Sequence, residues 1–239
     1  MHDRRLTALL LFVAAALGFQ VQTMKQPRVA PGADEPNWVD ILRERFGLSI
    51  YSDLKNPVKT TAEETPGLFR KSGLAPVRFT PVIALGLDTR NRGGWYVASS
   101  SGDGAPRKHE LWSYQFKNTA DDLRTGNNLP PPLLAGSTRE FDPGEAPFGL
   151  WISNDGLNDG GVFSQPGLVA KLNQRLASQP YKAMIYPNKE KGTGKLIPHS
   201  YLIGWEYSTN DDFQDVVCQL DNAILIVEPR GARVLEKAR

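Results

Sequence analysis

The chain has 239 residues, with 28 lysines and arginines against 26 aspartates and glutamates and a formal net charge of +2. That balance, without a basic stripe, argues against nucleic acid as a partner. A single cysteine, Cys218, excludes an internal disulfide and a cysteine-rich zinc site; its apolar strand context reads as a buried thiol.

The N-terminus carries the three parts of a secretory signal peptide. His2, Arg4 and Arg5 form a basic head, Leu6 to Phe19 an apolar run, and Ala16-Leu17-Gly18 a small-x-small cleavage site, which sets residues 1–18 as the signal. The run falls short of the roughly 20 residues that span a bilayer, so no stable membrane span is expected after cleavage. No cysteine follows it to carry a lipid anchor. The expected location is extracytoplasmic, either periplasmic or secreted. Residues 19–76 read as a linker with a short helical segment. Within them Asn37 is placed to cap a helix reaching Phe46, with Trp38, Ile41, Leu42 and Arg45 on one face. Residues 52–76 are rich in Pro, Thr and Lys and read as irregular.

Strand signals dominate from residue 77, which predicts a β domain over 77–239. Arg78 to Leu87 is an apolar strand interrupted by Pro81, which predicts a sheet edge or a bulge there. Trp95 to Ser99 and Glu110 to Phe116 follow, the latter with Trp112, Tyr114 and Phe116 on one face. Gly102-Asp103-Gly104 marks a turn between them, and Leu129-Pro-Pro-Pro-Leu133 an extended crossing. Phe148 to Ser153 is another strand. Leu168, Leu172 and Leu176 have helical spacing. Strands at 182–187, 200–206, 215–220 and 223–228 close the chain. Many short strands with few helices predict an all-β fold, an antiparallel β-sandwich or jelly roll with one or two short helices.

The strands at 200–206 and 215–220 flank a loop crowded with oxygen donors: Glu206, Asn210, Asp211, Asp212 and Asp215. If the two strands pair as a hairpin, Glu206 and Asp215 oppose each other at its mouth, with Cβ atoms about 5 Å apart. Carboxylates that close need a proton, a lysine or arginine, or a metal ion. Calcium, which takes roughly 6–8 oxygens, suits such a set, and weak sites are usable outside the cytoplasm. The alternative is a solvated acidic turn, because Asp and Asn are ordinary turn residues.

The order Gly204-Trp205-Glu206, short loop, Asn210-Asp211-Asp212-Phe213-Gln214-Asp215-Val216-Val217 resembles the uncharacterised C-terminal β domain of secreted bacterial proteins. Pro147-Phe-Gly-Leu-Trp151 and Ile185-Tyr-Pro187 resemble strands of the same domain, so the likeness covers roughly residues 145–228. The resemblance implies a calcium-holding acidic cluster, an extracytoplasmic location and a surface or adhesive role, and no catalytic activity. The pattern departs at Tyr207, where an acid is common, and at Gln214, where Asn is common.

A second oxygen-rich loop, Ser153 to Gly161, offers Asp155, Asn158 and Asp159. It fails the EF-hand pattern at Leu157 and at Pro166, where the closing Glu belongs. It reads as a plain loop, or as a donor of Asp155 or Asp159 to the hairpin's ion if a sandwich gathers both loops at one end. Trp95, Trp112, Trp151 and Trp205 lie in strand patterns and suit a sandwich core or a sugar-stacking face. Lys191-Gly-Thr-Gly-Lys195 lacks the first glycine and the final Ser/Thr of a phosphate loop and reads as a hairpin turn. The expected function is that of an exported binding or surface-interaction module whose partner is a glycan or other cell-surface component. The alternatives are a glycan hydrolase using Glu206 and Asp215, and a purely structural envelope protein.

Overall fold

The computed structural model describes residues 36–47, 67–98 and 105–226. The predicted signal peptide, most of the predicted linker, the predicted turn at 102–104 and the end of the last predicted strand lie outside the described residues. Among the described residues eleven strands form two antiparallel sheets, as the all-β sandwich expectation requires. One sheet contains β1 (Phe69–Lys71), β3 (Asn91–Val97), β4 (Lys108–Tyr114), β6 (Phe148–Asn154), β7 (Val162–Phe163) and β11 (Ala223–Leu225). Its order is β11-β1-β6-β3-β4, with β7 beside β6 on the side that β1 leaves open. The other contains β2 (Val77–Ala84), β5 (Glu140–Phe141), β8 (Ala183–Lys189), β9 (Leu196–Trp205) and β10 (Val216–Asp221), in the order β5-β2-β10-β9-β8.

The main core fills the space between the sheets. Trp112 and Tyr114 are fully buried there and stack at 5.8 Å, and Phe79 meets Trp112 at 5.4 Å. That is the aromatic face predicted for β4. A second core lies on the outer side of the β5–β8 sheet. Alternation in each strand turns Ile83, Met184, Tyr186, Leu202 and Val217 outward, and helix α1 (Trp38–Phe46) covers them with Ile41 and Leu42. Asn37 caps α1 as expected, accepting the Asp40 N–H at 3.0 Å. Two further short helices are α2 (Ala120–Thr125) and α3 (Pro166–Leu172). Leu123 of α2 completes the outer core.

Several elements differ from the sequence expectation for local reasons. β1 lies in the stretch read as irregular; at three residues it has no period to detect, and it is held by pairing to β11 and β6. β3 begins at Asn91 rather than Trp95, running through Gly93-Gly94. A Cβ on Gly93 would sit 2.1 Å from the Trp112 ring, and one on Gly94 would sit 1.9 Å from the His109 carbonyl oxygen. Those glycines permit close packing instead of marking a turn. Pro81 does sit at a bulge: Cys218 pairs with Pro81 and Val217 with Ile83, leaving Val82 extra. β5 reaches only Val77 and Arg78, so the missing proline N–H costs no ladder bond on that side.

Candidate functional site

Registers across β8, β9 and β10 bring Ala183, Trp205 and Val216 into one row. The next row, at the mouth, is Lys182, Glu206 and Asp215. The Glu206 N–H donates to the Lys182 carbonyl at 3.1 Å, and the Asp215 carbonyl accepts the Leu85 and Gly86 N–H groups at 3.0 and 2.9 Å. Glu206 and Asp215 therefore oppose each other as the hairpin pattern predicts.

The loop between them folds inward. Asp211 and Phe213 adopt left-handed backbone conformations, with φ of 61° and 56°. For a bulky residue such as Phe213 this conformation is costly. Its ring is fully buried in the outer core beneath α1, which offsets that cost and ties the loop to the sheet. The two reversals aim Asp212 into the protein.

One carboxylate oxygen from each of Glu206, Asp212 and Asp215 lies within 4.8 Å of the other two. Glu206 has no exposed surface. Its Oε1 accepts the Ser208 N–H at 2.5 Å and its Oε2 the Asp212 N–H at 3.1 Å. Asp215 Oδ2 accepts the Tyr207 N–H at 2.6 Å. Asp212 Oδ2 accepts the side-chain amides of Asn210 at 2.5 Å and Gln214 at 3.0 Å. Asp212 Oδ1 is buried and has no hydrogen-bond partner. Burial, reinforced by the charges of Asp215 and Asp212, pushes the Glu206 carboxyl up to about 8.

A cation is already built into this end of the sandwich. The Lys182 side chain is wholly buried; its Nζ donates to the Ser208 carbonyl at 2.5 Å and lies 3.8 Å from Asp211 Oδ1. Burial draws its ammonium below the ordinary lysine value, and Glu206 and Asp211 act in the opposite direction. Arg175 braces the loop from outside. Its guanidinium donates to the Tyr207 carbonyl at 2.6 Å and to Asp159 Oδ2 at 2.5 and 3.0 Å. Burial alone would raise the Asp159 carboxyl, but Arg175, the Gly161 N–H and Asn173 outweigh it and hold it low.

The predicted residues thus separate. Glu206, Asp212 and Asp215 converge. Asn210 presents its amide N–H to Asp212, and Asp211 faces Lys182. Asp159 reaches the site only through Arg175, Asp155 pairs with Arg92 at 2.9 Å, and Asn158 is exposed on the same loop with a φ of 50°. Tyr207, which stands where an acid is common in the resembled pattern, donates its hydroxyl to Asn91 Oδ1 at 3.0 Å and to the Ser153 carbonyl at 3.3 Å. Tyr207→Phe is expected to lower stability by about 1–2 kcal/mol, read from urea unfolding midpoints. No change would show that those bonds are replaced.

The burial of Glu206 leaves a sugar ring no approach to it, so the geometry does not suit hydrolysis between Glu206 and Asp215. Among the described tryptophan side chains none presents an open stacking face. Trp112, Trp151 and Trp205 are buried, and Trp95 lies between His109 and Phe141 at 4.4 and 4.9 Å. Comparison with family models, curated proteins and solved structures found no match to this chain.

Proposed function

We propose that the chain is an exported β-sandwich module that binds a glycan or other cell-surface component, with its β9–β10 loop held by calcium. The observation that carries the cation is Asp212: its Oδ1 is buried without a hydrogen-bond partner, and one of its carboxylate oxygens lies within 4.8 Å of oxygens of Glu206 and Asp215. A buried anionic oxygen left unpaired is costly, and a divalent ion satisfies it. Glu206, Asp212 and Asp215 would supply the carboxylate ligands. The role of the ion is structural: it offsets the charge that Lys182 alone does not balance, and it fixes the strand ends. Support for an exported, surface-binding role comes from the signal-like N-terminus and from the resemblance over residues 145–228.

Calcium titration of the metal-stripped protein by calorimetry tests the reading. One site is expected, with Kd of about 10⁻⁴–10⁻³ M as in extracellular modules. Asp212→Asn should weaken it by roughly tenfold or more, since second-rank changes around metal sites already cost that much. Heats indistinguishable from buffer dilution would remove calcium from the account.

A further inference from the structure

The two ends of the sandwich are chemically unlike. β9 runs from Leu196 to Trp205, and its last residues adjoin the acidic loop. At its other end Ser200 pairs with Asp221, Asp221 with Arg78, and Arg78 with Glu140. The antiparallel registers place four further features at that far end. They are the turn after β1, the tip joining β8 to β9, the end of β3 at Val97 and the start of β11.

Exposed apolar side chains concentrate there. Leu74, in the turn after β1, is 99% exposed. Leu196, Ile197 and Val97 are 55%, 36% and 39% exposed, and Ile224 lies one pair in from the end. Of the seven exposed large hydrophobic residues in the described structure, only Leu87 and Leu134 are not in this group. The β8–β9 tip is irregular: Pro187 pairs with Tyr201 and Lys189 with Leu196, so Ile197-Pro198-His199 bulges out, with His199 at a φ of 57°. Cations outnumber acids around these residues. The tip carries Lys189, Lys191 and Lys195 against Glu190; at the same end Arg70, Arg78, Arg107 and Arg139 are exposed against exposed Glu140, Asp142 and Glu145, with Asp142 paired to Lys71. Arg78 and Arg139 also line a cleft of about 500 Å³ beside the segment 133–140.

We propose that this end docks on an anionic phospholipid surface. These aliphatics stand on four segments, the turn after β1 and strands β3, β9 and β11, and charge complementarity decides between occupants. Lysines and arginines around them match anionic headgroups, at about 1 kcal/mol each near such a surface. The cation site lies at the opposite end, so the docking does not depend on it.

Vesicle flotation of the full chain tests this, using phosphatidylcholine vesicles and vesicles of equimolar phosphatidylcholine and phosphatidylglycerol, each with and without EDTA. The apolar run at 6–19 is present in every sample, so the comparison is between variants and parent. The parent should float with the anionic vesicles, less so at high salt, and independently of EDTA. Leu74→Asp/Ile197→Asp should lose roughly tenfold or more of that binding, as should Lys191→Ala/Lys195→Ala. All four side chains are exposed and the hydrogen bond lost, from Lys191 to the Glu44 carbonyl, is a long 3.4 Å, so melting temperatures should stay close to the parent's. Equal flotation of parent and variants, or equal flotation with neutral vesicles, overturns the proposal. So does a parent that ignores both vesicles, which would leave this end to an acidic protein.

Discussion

Lys182→Met is expected to lower stability by about 3–5 kcal/mol in the absence of calcium, because it removes one partner of a buried charged set. For a domain of this size that corresponds to a fall in melting temperature of roughly 6–20 °C. The methylene stem is matched in volume, so the loss is electrostatic. The Ser208 carbonyl loses its donor, and Glu206 and Asp211 lose the buried ammonium that faces them. Two further results follow. Above about pH 8, where Glu206 has lost its proton, Glu206→Gln on the Lys182→Met background should restore part of the loss, because it removes a buried anion along with its counter-ion, giving a coupling energy of about 1 kcal/mol or more. The calcium-induced rise in melting temperature should also be larger in Lys182→Met than in the parent, since the carboxylates then lack their internal cation. Additive single-variant effects, with an unchanged calcium response, would mean that Lys182 serves only as a donor to the loop backbone.

Lys182 is also where reading by sequence stopped. The hairpin between 200–206 and 215–220 was legible because both strands alternate and the acids sit at their adjoining ends, so Glu206 and Asp215 had to meet. Lys182 lies more than twenty residues upstream, and its place in the row depends on the register of β8 against β9. Nothing local sets that register, because the bulge at Ile197 to His199 shifts it. The same limit explains β1, whose three residues are a strand only by virtue of β11 and β6 arriving beside them. α2 was legible and missed: Thr119 and Asp122 form a reciprocal capping box, a pattern visible at three-residue spacing. The inward turn of Asp212 depends on a left-handed Phe213 held under α1, and no propensity rule places a phenylalanine there.

In EDTA, stability should fall as pH rises from about 4.5 towards 8. Glu206 has a folded-state value of about 8 against an ordinary glutamate value of 4.5, so the folded protein holds a proton that the unfolded chain releases across that interval. The stabilisation is complete below the unfolded value and is lost as pH climbs through the folded one; for a fully buried acid it is on the order of a few kcal/mol. Lys182, shifted downward, acts with opposite sign to Glu206, and Asp159, held low, acts only in acid. The Glu206→Gln variant isolates the Glu206 share of the slope. Calcium competes with the same proton, so its binding should strengthen towards pH 8. At about 10–100 times Kd it adds ~1.4–2.7 kcal/mol, or roughly 3–10 °C in melting temperature at pH 8.5. The increment at pH 6 should be much smaller, and Glu206→Gln should flatten the slope in EDTA. Scanning calorimetry at the two pH values decides it. A calcium increment equal at both would separate the ion from Glu206 and require it to bind elsewhere.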